Sequence, residues 1–364
     1  MRIAHLELGR HLYGGAEQVR YLLDGLRDDR HQHTLVTPVD SALHDWARDE
    51  GQRCFGIAFG GEHDLPFIWR LSRWLRSNRI ELLHVHSRRG ADWMGALAAR
   101  QAGVPAILSR RVDNPPGRLL VRLMGRSYRR VICISDAIRE VLQAHGVDET
   151  NLLTIRSAVD AARYQLAEVS PDARQQLVGD APAGPVIAVI AQLIERKGHR
   201  FLIAGLPGLR ERFPGLQAVF LGRGGLADEL RADVRSAGLQ DCVHFAGFRD
   251  DLIALLPAID VVVHPALMEG LGVSLLQVAA AGIPVVAFAA GGVREAVAHD
   301  HSGILVRTAD SVSLAAAVGR LLGDPALARA LGDNARRRVE SDFSIRALVQ
   351  RHDALYDVLA EERE

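Results

Sequence analysis

"DVVVHPALMEGLGVSLLQVAAAGIPVVAFA", residues 260–289, holds two β-branched runs with a helical pattern between them. The first run covers 260–265 and the second 284–289. Between them lie a short loop with Gly270 and Gly272 and an apolar helix that begins at about Val273. Strand, helix and strand in that order is the unit of a parallel sheet joined by crossover helices.

The same alternation continues in both directions. Around the quoted stretch the strand patterns are 186–191, 216–222, 242–247 and 303–307. The amino-terminal half repeats the pattern at 2–8, 33–38, 53–58, 81–86, 105–110, 130–135 and 151–156, with helical runs such as 16–28 and 92–103 between strands. Proline, glycine and alanine gather in "SPDARQQLVGDAPAGP" (170–185), which reads as a joint between two halves. Helical runs at 313–324, 326–341 and 344–362 close the chain. The expectation is α/β: two doubly wound, Rossmann-like domains.

Length supports the division, because 364 residues exceed what one hydrophobic core usually organises. Lysine plus arginine equals aspartate plus glutamate at 44 each, so no net charge draws the chain to nucleic acid. Cys54, Cys133 and Cys242 are too scattered for a disulfide framework or a metal knuckle. The amino-terminal segment "MRIAHLELGRHLYGG" lacks the apolar core of a signal peptide, and no apolar window is long enough to span a bilayer. The expected location is cytoplasmic.

Ligands of doubly wound sheets collect at the carboxyl ends of the strands. Glu269 stands on such a loop between small residues, and Gln277 follows on the next helix with both a donor and an acceptor to offer. The same pair also fits an exposed glutamate and a helix-surface glutamine. In "AQLIERKGH" (191–199), Arg196 and Lys197 form either a diphosphate clamp or a charged turn. In "HLYGGAEQ" (11–18), Gly14 and Gly15 either offer amides to a phosphate at a helix start or make a tight turn. His84 and His86 in "HVHS" (84–87) share a strand face, and fit a core or cleft better than a metal site. Arg118, Arg122 and Arg126 give the run 117–130 a basic face, suited to solvent or to an anionic membrane surface.

Taken in order, "GGAEQ" (14–18), "HVHS" (84–87), "VICIS" (131–135), "RKGH" (196–199), "HFAGFRDD" (244–251), "HPALMEGLGVSLLQVAAAGIPVVA" (264–287) and "GGVREAV" (291–297) resemble the retaining glycosyltransferases of family 4. That family has the GT-B architecture of two Rossmann-like domains facing a cleft. The resemblance implies an acceptor-side domain over 1–168 and a donor domain over 169–343. It also implies a closing helix over 344–364 that packs back on the first domain. It places Glu269 on the donor sugar, with Gly270, Leu271 and Gly272 bringing amides to sugar and phosphate. The departing diphosphate falls to Lys197, Gly15 and the helix N-terminus after Gly272, with Gly14 and a compensating Arg196 also on the donor. The nucleobase falls to Phe248 and Arg249 near Gly247, and the cleft beside the donor sugar to His86.

Three positions depart from the family. Gln277 stands where a second glutamate binds the ribose, and Ala191-Gln192 stands where Gly-Arg adds a phosphate cation. Arg156-Ser157-Ala158 replaces the usual Pro-Asn-Gly turn. The implied activity is retaining, metal-independent transfer from a nucleotide-diphosphate sugar, UDP-linked by preference, without further cofactor. The implied acceptor is a glycan or lipid-linked glycan of cell-surface polysaccharide or lipopolysaccharide assembly. Peripheral contact with the cytoplasmic membrane face accompanies that reading. A weak or inactive nucleotide-sugar binding protein is one alternative, motivated by Gln192 and Gln277. An epimerase or hydrolase of the same architecture is the other.

Overall fold

The computed structural model describes residues 1–12, 14–27, 30–86, 90–114, 117–165 and 170–362. It divides into two compact units, Met1–Ala158 with Ile345–Glu364 and, between these segments in the chain, Val159–Ser344.

The first unit is built on seven strands: β1 Arg2–Leu6, β2 Gln32–Pro38, β3 Cys54–Ile57, β4 Leu82–Val85, β5 Ala106–Arg110, β6 Tyr128–Cys133 and β7 Leu152–Thr154. Their order is β3-β2-β1-β4-β5-β6-β7, parallel throughout. The second unit has six: β8 Val186–Ile190, β9 Gln217–Leu221, β10 Val243–Gly247, β11 Val261–His264, β12 Val285–Phe288 and β13 Ile304–Val306. Their order is β10-β9-β8-β11-β12-β13, again parallel. Each strand falls on a run expected from sequence. Helices cover both faces of a parallel sheet, so its central strands are apolar at every position rather than at alternate ones. Val261, Val262 and Val263 of β11 are all buried, whichever way they point.

The closing helix, Ile345–Glu361, belongs to the first unit. Leu348, Leu355, Tyr356 and Leu359 join Ile3, Leu22, Leu82, Ile107 and Ile132 in one core. The chain leaves for the second unit at Val159 and returns after Ser344, and these two residues form a parallel bridge.

Two expectations need correction. The segment 170–185 is no joint but a folded part of the second unit. Its helix Ala173–Val178 buries Ala173, Leu177 and Val178, and Arg174 donates to the carbonyls of Gly184 and Pro182. The division falls at Ala158/Val159; the 168/169 boundary lies outside the described residues. The basic run is also not one helix over 117–130. The helix ends at Ser127, and Arg129 and Arg130 lie on β6, where both pair with Glu362. The side chains of Arg118 and Arg122 lie outside the described residues, as does Ser87 of the "HVHS" motif. Among the described residues no helix is long and apolar enough to cross a membrane.

Candidate functional site

In the second sheet the strand order reverses between β8 and β11, so the loops that leave these neighbours diverge and open a crevice. Lys197 ends the turn Glu195–Lys197 after β8, and Glu269 stands on the loop after β11. The two loops are locked together. Leu267 N–H donates to the Arg196 carbonyl at 2.8 Å. Gly198 has φ +66°, and a Cβ there would lie 2.0 Å from the Pro265 carbonyl oxygen. The loop after β12 closes just as tightly, because a Cβ on Gly292 would meet the Gly270 carbonyl oxygen at 2.0 Å. Positions 198 and 292 therefore admit only glycine while these loops stay in contact.

This packing brings Lys197 Nζ to 2.5 Å from Glu269 Oε2, with each side chain 12% exposed. His264, buried at the end of β11, donates from Nε2 to the same oxygen at 3.0 Å. Burial alone would raise the carboxyl's pKa. The hydrogen bond from His264 and the charge of Lys197 outweigh burial and hold Glu269 down at about 2. Glu269 is therefore a fixed carboxylate whose Oε1 has no hydrogen bond among the described residues, and Lys197 keeps two of its three donors. His199 opens the next helix with both ring nitrogens buried and unpartnered, its pKa lowered to about 4 by burial first and then by His264 and Lys197. The crevice offers cationic donors on Lys197 and a carboxylate acceptor on Glu269.

Gly270, Leu271 and Gly272 follow directly, and Gly272 at φ +85° precedes the helix Val273–Ala280. Gln277 lies in that helix, half-buried, with no side-chain partner among the described residues. Gln192 and Arg196 are exposed. Arg249 is engaged by Asp251 and by Gln176 at 2.7 Å, so its guanidinium is already occupied within its own surroundings. Phe248 is 53% exposed, with Arg223 over its ring at 6.0 Å.

Gly14, Gly15 and His86 belong to the first unit, whose strand order reverses between β1 and β4. Gly14 and Gly15 open the helix Gly14–Gly25, and His86 follows β4. His86 Nε2 shares a hydrogen bond with His5 Nδ1 at 3.0 Å, and His5 Nε2 with His33 Nδ1 at 2.9 Å. His84 is held by Tyr356 Oη at 2.7 Å and Ser109 Oγ at 2.8 Å. Burial, and then the neighbouring imidazoles, keeps His5, His84 and His86 well below the usual histidine range, hence neutral. Their ligand atoms lie within 4.8 Å of one another. Every nitrogen of the three except His86 Nδ1 already has a partner, so the group is a satisfied hydrogen-bond network rather than an open ligand set.

Sequence reasoning singled out neither His264 nor Arg111. His264 reads as an ordinary strand end before Pro265. Arg111 sits in "SRR" (109–111), where nothing separates one arginine from the other.

Comparison with known proteins agrees with this architecture. The family described as Glycosyl transferase 4-like domain matches residues 13–158, and Glycosyl transferases group 1 matches residues 175–338. The glycogen synthase of Mycobacterium tuberculosis is 34% identical over 249 residues, which is 68% of this chain and 57% of that protein. The chain thus spans little more than half of that relative's length. The Escherichia coli UDP-Gal:alpha-D-GlcNAc-diphosphoundecaprenol alpha-1,3-galactosyltransferase is 22% identical over 98% of this chain and 96% of its own. Among solved structures, Anabaena HepE in complex with UDP-glucose superposes with a TM-score of 0.83 at 21% identity, over 99% of this chain and 100% of that one. The amino-terminal family match stops at Ala158, where the fold itself divides, and the second lies wholly within the second unit. The chain belongs to the family 4 glycosyltransferases, with the GT-B fold.

Proposed function

We propose that the protein is a retaining, metal-independent glycosyltransferase that moves a sugar from a nucleotide-diphosphate sugar to a glycan or lipid-linked acceptor. The observation that carries this reading is the Lys197–Glu269–His264 cluster at the strand reversal of the second sheet. Lys197 takes the diphosphate, whose charge grows as the anomeric C–O bond breaks. Glu269, kept ionised by its two partners, orients the donor sugar through its hydroxyls, and the amides from Gly270 to Gly272 complete that contact. The acceptor oxygen bonds to the anomeric carbon on the face the diphosphate leaves, and its proton passes to the departing phosphate oxygen. The donor of choice is a UDP-sugar. HepE carries UDP-glucose and the Escherichia coli relative is named for UDP-Gal, and these names support the choice without deciding it. The latter's diphosphoundecaprenol acceptor supports a place in surface-glycan assembly, at the cytoplasmic face of a membrane. Gln277 binds the ribose through its amide.

Thermal stability with UDP, GDP and ADP, each with and without magnesium, tests the donor half. A ligand at about 100 times its dissociation constant adds roughly 2.7 kcal/mol. A shift with UDP that magnesium does not alter is expected, and no shift with any of the three refutes the reading. Lys197→Ala and Glu269→Ala should each remove transfer; unchanged rates in both would place the site elsewhere.

A further inference from the structure

The first unit encloses a cavity of about 180 Å³ at the carboxyl ends of β1, β4 and β5. It is lined by Glu7, Gly15, His86, Asp92, Ser109 and Arg111, among others. Arg110 and Arg111 are adjacent in sequence and differ in kind. Arg110 donates to the carbonyls of Val112 and Asn114, which ties down its own loop. Arg111 has one long hydrogen bond, 3.4 Å to Ser157 Oγ, and its Nε is buried with no partner. Among the described residues no carboxylate forms an ion pair with it, and Glu7 acts on it through space. Burial lowers even this guanidinium to about 10, with Glu7 opposing the shift. His86, also on the cavity wall and 2% exposed, leaves Nδ1 buried and unpartnered.

Arg111 is half-buried, with its Nε fully out of solvent. A partly desolvated cation without a contacting counter-ion gains when an anion arrives, and a planar guanidinium fork matches a phosphoryl group. The two carboxylates on the same wall would repel a bare phosphate, but they accept hydroxyls. Together the lining suits a ligand with an anionic group at one point and hydroxyls around it.

We propose that Arg111 receives a phosphoryl group carried by the acceptor, so that the first unit takes a phosphorylated sugar rather than a neutral glycan. This rests on the reading above, in which the donor belongs to the second unit. Arg111 anchors the acceptor's phosphate, while Glu7 and Asp92 accept its hydroxyls. Arg111 is a positioning and specificity residue, since it touches the substrate away from the reacting atoms.

The test uses the full chain saturated with UDP, which occupies the donor's own phosphate site. Glucose 6-phosphate is the probe and glucose the neutral control, with binding read by calorimetry. Glucose 6-phosphate should bind in the presence of UDP and glucose should not compete with it. Arg111→Ala should weaken the probe by roughly 10–100-fold, the range of a lost charge-assisted hydrogen bond. Arg111→Lys, which keeps the charge but loses the fork, should fall between. UDP binding should be the same in all three proteins. Equal affinity for glucose and its phosphate, or loss of the probe when UDP is added, overturns the proposal; the second result would return Arg111 to the donor. The two wild-type comparisons decide the matter even if Arg111→Ala does not fold. Failure of all nucleotides to bind would count against the donor reading instead, and the glucose comparison would still judge Arg111.

Discussion

Replacing Glu269 with glutamine keeps the side chain's shape and removes its charge. In the folded chain the carboxyl titrates at about 2, against an ordinary value of 4.5. A carboxyl with a depressed folded pKa adds stability above its unfolded pKa and loses it as pH falls toward the folded value. At 1.36 kcal/mol per unit, the difference of about 2.5 units is worth roughly 3 kcal/mol over the whole window. Between pH 6 and pH 3, where most proteins can still be measured, linkage assigns about 2 kcal/mol of that loss to this one group. Wild type and Glu269→Gln share every other titrating group, so the pH dependence of distant groups cancels in the difference between their stabilities, leaving that of Glu269 and its two partners. That difference should be flat above pH 5 and shrink by about 2 kcal/mol by pH 3. Urea unfolding at several pH values measures it. All four tryptophans, Trp46, Trp69, Trp74 and Trp93, belong to the first unit, so their fluorescence follows that unit and serves as an internal control. Far-ultraviolet circular dichroism follows both units. A difference that stays constant from pH 6 to pH 3 would show that Lys197 and His264 do not hold this carboxylate.

Other consequences are equally concrete. Tyr356→Phe removes the buried hydroxyl bonded to His84 and should cost about 1–3 kcal/mol in the tryptophan-monitored transition, and no change there would contradict the hydrogen bond. Gly198→Ala places a methyl 2.0 Å from the Pro265 carbonyl at φ +66°, so it should destabilise the second unit by about 2 kcal/mol or more and abolish nucleotide binding. A variant as stable as wild type would mean that the loops after β8 and β11 are not locked. Cys133 is buried with its thiol pushed up to about 12, and Cys242 is buried and raised as well. A thiol reagent at pH 8 should therefore modify at most the half-buried Cys54 before unfolding, and rapid reaction of two thiols would be incompatible with this packing.

The strands were legible because a sheet covered on both faces needs apolar residues at every strand position, and that writes a continuous β-branched run into the chain. Lys197 and Glu269 were legible for a related reason, since both stand on loops leaving strands, with glycine beside them. The place where the first unit ends was not. Ala158 is held by Gln18, whose amide donates to its carbonyl at 2.7 Å and accepts from its N–H at 2.6 Å. A pairing across 140 positions leaves no local trace. The difference between Arg110 and Arg111 was hidden too, because it lies in what each guanidinium meets after folding.

The closing helix has a consequence for synthesis. Tyr356 and its neighbours complete the core around Ile3, Leu22 and Leu82, yet they are translated after the whole of Val159–Ser344. Domains made first ordinarily fold first. Here the part begun earliest stays unsealed until late, with the core around Ile3, Leu82 and Ile107 lacking its last helix while the second unit already has all its strands. A nascent chain of this protein therefore holds its finished half downstream and its unfinished half upstream, and chaperone demand falls on the amino-terminal strands.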